Sequence, residues 1–391
     1  MADSRRKVII VTTTRADWGI LSPLARELAL SPEVKLLIAA GNMHLLPEFG
    51  NTVDEIRSDG MTDVRLLGNP AECNGDASAI TADIMLALAD VIKTENPQAI
   101  VILGDRYEML GVASAALIAS VPVVHIHGGE VTEGAIDDSV RHALTKMASL
   151  HLVATELSAQ RVAQMGEPLE RIVVTGSMGV ENALSESVMS REELSASLDG
   201  FEFDPSKTLL VTMHPVTRHP EGLDPLRQID ALLEAIDEVE ECKVLFTYPN
   251  NDPGNEIIVR RIEDFVRQHP VRTKAVKSLG RKRYLSAMRY VRAIVGNTSS
   301  GLLEAPSTPA ATIDIGPRQQ GRERACSVIH VPDRREDIVR ALRCILDAPP
   351  RSFNPGDNPY YRANAAKNAA KVIIEALPSL SPVKKFKDLS V

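Results

Sequence analysis

The densest group of titratable side chains in the sequence follows an apolar segment at 121–127. His125 and His127 alternate by two along this segment, so a strand would place both on one face. Two glycines then end the strand, and Glu130 and Asp137 follow before the next predicted helix. Carboxylates and imidazoles held at one strand end can have separated pKa values, which paired acid and base steps require. This segment therefore predicts proton-transfer chemistry.

A metal site is the competing interpretation of the same side chains. Two histidines with nearby carboxylates could hold zinc or manganese. However, the H-E-x-x-H spacing of helical zinc sites does not occur in the chain. The four cysteines, Cys73, Cys242, Cys326 and Cys344, are far apart and form no C-x-x-C pair. We therefore predict no metal site and no disulfide framework.

Other charged residues lie at strand ends of the N-terminal half. The apolar segment 99–104 leads directly into Asp105 and Arg106, which places a carboxylate and a guanidinium at the carboxyl end of a strand. A helix N-cap formed by Asp105 is the structural alternative. Arg15 follows the first apolar segment, 7–13, where a strand leads into a helix N-terminus. Such a position favours an anion, so an anionic ligand is predicted near the carboxylates.

The C-terminal half presents hydroxyls and cations. The segment 296–301, GNTSSG, follows an apolar strand and leads into a predicted helix, whose N-terminal N–H groups attract anions. This arrangement fits a diphosphate without a lysine, whereas neither the G-x-G-x-x-G nor the P-loop pattern occurs. The candidate residues of this half are His214, Asn250, Ser299, Ser300, Glu304 and Arg318.

Short β-branched segments alternate with segments of helical length, which is the pattern of βαβ units and parallel sheets. A first series, at 7–13, 34–40, 99–104, 121–127, 151–155 and 171–176, predicts one sheet. A second series, at 208–214, 242–249, 292–296, 310–316 and 327–331, predicts another. We predict two doubly wound α/β domains, 1–180 and 181–364, whose strand ends face one cleft. The lysine-rich end, 384–391, is predicted to be a solvated tail.

The composition excludes several classes of partner. The chain has 391 residues, of which 44% are apolar and 25% charged, as is typical of a folded protein of two or more domains. Lys and Arg number 44 against 52 Asp and Glu, so the net charge of −8 offers no general attraction for nucleic acid or anionic lipid. No segment matches a signal peptide or a membrane span. We expect a cytoplasmic protein that binds neither nucleic acid nor membrane.

A series of motifs, taken together and in order, resembles one enzyme family. The motifs are RADWG, GNMHLLPEFGNT, GDRYE, HIHGGE, GAIDDSVRHALTKM, MHPVT, YPNND, GNTSSGLLEAP and IGPRQQGR, and the resemblance covers about residues 7–331. The chain resembles the hydrolysing UDP-N-acetylglucosamine 2-epimerases of sialic-acid-type sugar biosynthesis. This resemblance implies a GT-B architecture of two Rossmann-like domains, in which a C-terminal helix, about 365–391, returns to the first domain.

The resemblance also implies a reaction and a set of site residues. In this family UDP is eliminated from the sugar, and water adds to the resulting glycal to release a 2-epimerised N-acetyl sugar. The positions of Asp105, Glu130 and Asp137 in these motifs imply that they are the acid and base residues. His127 stands where many relatives have a glutamate, so that duty passes to His127 or to Glu130. The implied sugar contacts are His44 and His125, and the implied UDP contacts are Arg15, Arg106, His214, Asn250, Ser299, Ser300, Glu304 and Arg318.

Several alternatives stay open at the level of the sequence. The substrate is UDP-N-acetylglucosamine or UDP-2,4-diacetamido-2,4,6-trideoxyglucose, the second of which leads to legionaminic acid. A non-hydrolysing epimerase would keep the sugar on UDP, and a GT-B glycosyltransferase would need an acceptor groove. A non-catalytic nucleotide-sugar-binding protein would have no use for the carboxylates. The resemblance implies no cofactor, and it implies a homo-oligomer, either a dimer or a tetramer.

Overall fold

The computed structural model describes residues 5–133, 136–185, 187–216, 224–249 and 254–388. The chain divides into two compact units. The first unit comprises Met1–Glu130, Asp137–Asn182 and Arg362–Val391, and the second comprises Val131–Ile136 and Ala183–Tyr361. Each unit is built around one sheet whose described strand pairs are all parallel.

The sheet of the first unit has seven strands in the order β3-β2-β1-β4-β5-β6-β7. The strands are β1 (Arg6–Thr12), β2 (Val34–Gly41), β3 (Val64–Leu67), β4 (Ala99–Leu103), β5 (Val123–Ile126), β6 (Leu150–Val153) and β7 (Ile172–Val174). The helices are α1 (Arg15–Leu30), α2 (Val53–Ser58), α3 (Ala77–Glu95), α4 (Glu108–Ile118), α5 (Asp137–Met147), α6 (Glu156–Gln164), the first part of α7 (Met178–Ser185), and α14 (Ala365–Ala376).

Helices cover both faces of this sheet, and that explains its uninterrupted apolar strands. The sequence AIVIL of β4 is buried at every position, because each face of a central parallel strand packs against helices. One core cluster joins α1 and α14 to the sheet, and another joins α3 and α4 to it. The C-terminal helix α14 packs against α1 within this unit.

The sheet of the second unit has six strands in the order β10-β9-β8-β11-β12-β13. The strands are β8 (Thr208–Thr212), β9 (Lys243–Thr247), β10 (Thr273–Val276), β11 (Ala293–Gly296), β12 (Ala311–Ile315) and β13 (Val328–Val331). The helices are α8 (Arg191–Ala196), α9 (Pro225–Asp237), α10 (Asn255–Gln268), α11 (Gly280–Tyr290), α12 (Ser300–Leu303) and α13 (Arg335–Asp347).

The predicted fold class, two doubly wound α/β sheets, is confirmed. The sequence analysis missed two strands, β3 and β10, and each lies at the edge of its sheet. Edge strands need only one buried face, and VRLL and TKAV therefore lack a continuous apolar pattern. Among the residues that the structure describes, every helix is too short or too polar to cross a lipid bilayer.

Candidate active site

Asp105, which follows β4, is held by an arginine that the sequence analysis did not place in the site. Arg141 Nη2 forms an ion pair with Asp105 Oδ2, and Arg141 Nη1 donates to the carbonyl oxygen of Glu130 at 2.9 Å. The Arg141 side chain is 2% exposed, so water screens this ion pair only weakly. Asp137 begins α5 and Arg141 lies one turn further along the same helix. One guanidinium thus joins the chain after β4 to the chain after β5.

His127 and Glu130 form a buried pair just beyond β5. His127 Nδ1 and Glu130 Oε1 are 2.6 Å apart, and the side chains are 8% and 4% exposed. His127 Nε2 is buried and has no hydrogen-bond partner in the described part of the chain. A ring with one nitrogen fixed by a carboxylate and the other unpartnered is an oriented acid–base group.

A sharp turn brings Glu130 back to the histidine. His127 has a φ of 63°, in the left-handed region that non-glycine residues seldom adopt. Gly129 also has a positive φ, +77°, and a Cβ at that position would lie 2.3 Å from the carbonyl oxygen of Ser158. Only glycine fits at position 129, so Gly129 is a geometric requirement of the turn that forms the pair.

His125 lies on β5 and is fully buried. Its Nε2 is 2.7 Å from the carbonyl oxygen of Gly104, and its Nδ1 is 3.2 Å from Thr145 Oγ1. Burial lowers the pKa of His125 to about 3, so the ring is neutral at pH 7. The neutral ring therefore donates from Nε2 to the Gly104 carbonyl, which connects β5 to the Gly104 turn, and its Nδ1 faces the Thr145 hydroxyl. The sugar contact expected of His125 stays a prediction.

His44 and Arg15 differ sharply in exposure. His44 is buried after β2, with its ring nitrogens 3.0 Å from Thr12 Oγ1 and 2.7 Å from Thr52 Oγ1. Burial lowers the pKa of His44 to about 4, so it is a neutral hydrogen-bonding group. The Arg15 side chain is 51% exposed and pairs with Glu55 at 3.0 Å. Arg15 is a surface cation at the start of α1.

Arg106 is balanced by carboxylates of its own unit. Its Nη2 donates to Glu108 Oε1 at 2.6 Å, and its Nε lies 3.9 Å from Asp17 Oδ2. Asn42 donates to the same oxygen of Glu108, which is fully buried. Burial raises the pKa of Asp17, although the Arg106 charge opposes that rise. Two carboxylates therefore lie close to Arg106, and its predicted contact with UDP stays a prediction.

In the second unit, Asn297 fixes the backbone of His214 just beyond β8. The Asn297 side chain accepts from the His214 N–H at 2.7 Å and donates to the His214 carbonyl at 2.8 Å. Both residues are buried. Burial lowers the pKa of His214 to about 3, and the Arg318 charge adds to that effect. His214 is therefore a neutral hydrogen-bonding group at pH 7.

Asn297 also joins His214 to the arginine-containing loop after β12. Arg318 Nη1 and Gln319 Nε2 donate to the Asn297 carbonyl at 3.3 and 2.9 Å. The same loop is anchored by Arg324, whose Nη2 donates to the buried carboxylate of Asp314 at 2.9 Å. Asn297 thus connects the carboxyl ends of β8, β11 and β12. Sequence reasoning missed it, although it directly follows β11 in the motif that was singled out.

The GNTSSG segment forms a shorter helix than the sequence predicted. Helix α12 has four residues, Ser300–Leu303, and Glu304 lies just beyond its end. The Ser300 hydroxyl donates to Glu304 Oε2 at 2.9 Å. Ser299 is the N-terminal cap residue of α12. Burial raises the pKa of the Tyr284 hydroxyl, which lies close to Ser300. Only a few aligned peptides contribute to the dipole of this short helix, so the attraction of the segment for an anion depends mainly on its serine hydroxyls.

Two further observations complete the site. Asn250, predicted to contact UDP, lies outside the described residues. Among the described residues, no group of three or more His, Cys, Asp or Glu side chains is arranged to hold a metal ion.

Comparison with known protein families shows which family the chain belongs to. The family described as UDP-N-acetylglucosamine 2-epimerase matches residues 26–374. The chain belongs to this epimerase family. The resemblance drawn from the motifs is therefore confirmed, as is the prediction that the protein is an enzyme of this kind.

Three similar proteins each align with most of the chain. The polysialic acid biosynthesis protein P7 of Escherichia coli is 34% identical over 387 residues, 98% of this chain and 97% of that protein. The GDP/UDP-N,N'-diacetylbacillosamine 2-epimerase (hydrolyzing) of Campylobacter jejuni is 35% identical, covering 83% of this chain and 84% of its own. The UDP-N,N'-diacetylbacillosamine 2-epimerase (hydrolyzing) of Legionella pneumophila is 34% identical, covering 88% and 90%.

A solved epimerase structure has the same fold. The UDP-GlcNAc 2-epimerase of Neisseria meningitidis, bound to UDP-GlcNAc, matches with a TM-score of 0.77 at 20% identity, covering 95% of this chain and 99% of that chain. At such low identity the match is informative about the fold alone. It agrees with the GT-B-like class expected for this epimerase.

Proposed function

We propose that this member of the epimerase family is a hydrolysing 2-epimerase. It converts a UDP-linked 2-acetamido sugar into UDP and the released sugar inverted at C-2. The observation that carries the proposal is the buried cluster in which Arg141 binds both Asp105 and the carbonyl of Glu130, whose carboxylate pairs with His127. The names of the Campylobacter and Legionella relatives, both hydrolysing 2-epimerases, support the reaction type.

The first step is an elimination. The C-2–H bond breaks, its electron pair forms the C-1=C-2 double bond, and the C-1–O bond breaks with its pair leaving on UDP. The C-2 proton is barely acidic, so this step needs a well-placed base and a stabilised leaving group. His127 is the base in this proposal, because its buried Nε2 has no partner in the described chain while Glu130 holds Nδ1.

The second step hydrates the glycal. A carboxyl group donates a proton to C-2 on the face opposite to the one that lost it, and water adds to C-1 and returns a proton to the carboxylate. Asp105 takes this role in the proposal. It is a carboxylate in the resting ion pair with Arg141, so it takes up a proton from solvent for this step, and Arg141 stabilises the charge that remains once that proton has passed to C-2. Asp137, one turn before Arg141, orients the water. The sum is UDP-sugar plus water giving UDP plus the 2-epimer.

The second unit supplies most of the UDP contacts in this proposal. His214 is neutral at pH 7, so it binds the diphosphate by hydrogen bonding, and Arg318 contributes the positive charge. Ser299 and Ser300 offer hydroxyls, and Glu304 accepts from the ribose. Arg15, Arg106 and Asn250 complete the proposed set of UDP contacts, and His44 and His125 the sugar contacts.

The proposal is tested by NMR in heavy water with equal amounts of UDP-N-acetylglucosamine and UDP-2,4-diacetamido-2,4,6-trideoxyglucose. Released UDP together with a C-2-deuterated manno sugar is the expected result. Deuterium in a sugar still linked to UDP would indicate a non-hydrolysing epimerase. UDP binding with no turnover of either sugar would favour a glycosyltransferase or a binding protein.

The same experiment identifies the substrate, because the sugar consumed first is the preferred one. We favour the diacetamido sugar, since two relatives at 34–35% identity carry diacetylbacillosamine in their names. The proposal includes the domain ranges 1–180, joined by the C-terminal helix at about 365–391, and 181–364, and a cytoplasmic homo-oligomer that needs no cofactor. Light scattering of the purified protein, which separates a dimer from a tetramer, tests the oligomeric state.

A further inference from the structure

The C-terminal tail is docked onto the first unit, although the sequence predicted a solvated end. The docked segment, residues 381–387, is called the tail below. Arg171 Nη1 donates to the carbonyl of Ser381 at 2.9 Å. At the other end, the Lys387 N–H donates to the carbonyl of Gly166 at 3.0 Å. The tail is therefore held at both ends by hydrogen bonds to its own unit.

Lys384 reaches from the tail to a buried carboxylate. Its Nζ lies 2.6 Å from Glu167 Oε2, and the Glu167 side chain is 0% exposed. Lys146 and His151 contact the same carboxylate at 2.6 and 3.0 Å. Burial raises the pKa of Glu167, but hydrogen bonds from His151, Lys146 and Lys384 outweigh it and hold the pKa at about 2. Removing Lys384 would leave a buried charge with one cation fewer.

The Phe386 ring lies against Gly166, and any side chain at residue 166 would collide with the ring. Gly166 has a φ of +82°, and a Cβ there would lie 2.6 Å from the Phe386 ring. Lys146 Nζ stands 4.8 Å from the centroid of the same ring, within cation–π range. Backbone, charge and ring contacts therefore agree on one docked position for the tail.

Lys384 also caps the helix that carries Arg141. Its Nζ donates to the carbonyl of Ala148 at 2.6 Å and approaches that of Thr145 at 3.5 Å, both at the C-terminal end of α5. A cation at that end satisfies carbonyls that lack helical partners and complements the helix dipole. Thr145 in turn donates to the Arg141 carbonyl at 2.9 Å. The contacts run without a break from the tail to Arg141.

We propose that the tail is a clamp that holds α5 in register, with Lys384 as a positioning residue for the Arg141–Asp105 pair. This inference rests on the proposed function, because it assigns the clamped pair to the hydration step. Without the clamp, α5 would still form, but its end would move and Arg141 would hold Asp105 less tightly. The expected signature is a loss in kcat with little change in KM, since the proposed UDP contacts of the second unit are unaffected.

The experiment compares the full-length protein with Lys384→Met, Phe386→Ala and the double variant, with Lys385→Met as the matched control on an exposed neighbour. We expect kcat to fall about tenfold in the double variant with KM within about twofold. Lys384→Arg keeps the cation and should restore most of the rate. Hydrogen exchange of the α5 amides should quicken in Lys384→Met and Phe386→Ala but not in Lys385→Met.

The two readouts separate this inference from the proposed function. Unchanged α5 exchange in all variants would overturn the clamp, as would a rate loss equally large in Lys385→Met. Faster α5 exchange with an unaltered kcat would also overturn it, because the helix would then be loosened without consequence. Absence of UDP release from the unaltered protein would instead overturn the proposed function, and the exchange data would still decide whether the tail holds α5.

Discussion

Arg141 Nη2 and Asp105 Oδ2 form an ion pair between the middle of α5 and the end of β4, and the arginine side chain is 2% exposed. A buried arginine cannot shed its proton, so its partner must carry the compensating charge. The second contact of Arg141, to the Glu130 carbonyl, gives the guanidinium a fixed orientation. This pair connects proton-transfer residues that lie far apart in the sequence. The first two predictions concern Asp105 itself and the neighbouring His127.

Asp105→Asn should end steady-state turnover while leaving UDP affinity unchanged. An amide cannot donate a proton to C-2 and recover it from water, so hydration should slow at least about 10²-fold. Elimination by His127 does not need Asp105, so a single turnover should still release UDP and leave the glycal, seen by its vinyl proton in NMR. Calorimetry of UDP binding provides the control. A normal steady-state rate would remove Asp105 from the mechanism.

The same substitution leaves Arg141 buried without its compensating charge. Such a change costs about 3–5 kcal/mol of the free energy of unfolding. A lower Tm is therefore expected as well, and rates should be measured well below the transition. The exposed Asp54, which pairs with Arg57, substituted by asparagine, serves as a control for general effects of replacing an ion-paired aspartate.

His127→Asn should block the reaction one step earlier. Asparagine tolerates the left-handed backbone found at residue 127, so the turn to Glu130 should survive the change. Without an imidazole base, neither UDP nor glycal should appear in a single turnover, and exchange at C-2 should cease. Glu130→Gln is the companion variant, because it keeps the shape but weakens the orientation of His127. Glycal formation by His127→Asn at the normal rate would contradict the assignment of the base.

The sequence predicted well those features that depend on local pattern. Strand β4 is recognisable in the sequence because every residue of AIVIL is apolar and buried. The glycine-containing segment after β5 was recognisable because His127 and Glu130 are only three residues apart, and they form a hydrogen bond in the structure. The short edge strands β3 and β10 were missed because one exposed face removes the continuous apolar pattern.

The features that sequence reasoning missed depend on contacts between distant segments. Arg141 pairs with Asp105 only because β4 and α5 meet in the folded unit. One signal was available in the sequence: Arg141 lies four residues after Asp137, so a helix places these two side chains on the same face. The sequence predicted a solvated tail because a lysine-rich segment is typical of a chain end. Its docking depends on the buried Glu167 and on the space above Gly166, and neither is visible in a local pattern.

Asn297→Ala should weaken UDP binding. The substitution removes both side-chain bonds to the His214 backbone and leaves buried polar groups unsatisfied, at about 1–3 kcal/mol each. If His214 binds the diphosphate, UDP affinity should fall by about tenfold, measured by calorimetry. Asn297→Asp is the matched variant, because it keeps an acceptor for the His214 N–H but turns a carboxylate toward the His214 carbonyl. Unaltered UDP affinity in both variants would place His214 outside the UDP site.

Buried neutral histidines should make the protein less stable in mild acid. The pKa of His44 is about 4, below the ordinary value of 6.5, because burial disfavours the charged ring. Above pH 6.5 the ring is neutral in both folded and unfolded chains and costs nothing. As the pH falls from 6.5 toward 4, the unfolded chain binds a proton that the folded chain does not, so the free energy of unfolding decreases. For His44 the decrease amounts to about 3 kcal/mol by pH 4.

A comparison of Tm against pH for the unaltered protein and His44→Asn isolates this contribution, because carboxylates that titrate over the same range are common to both. The difference in Tm between the two proteins should shrink as the pH is lowered from 7 to 4. The variant loses the bonds to Thr12 and Thr52 at every pH, but it has no imidazole to protonate on unfolding. Parallel Tm curves would show that His44 is protonated equally in the folded and unfolded chains, contrary to its burial.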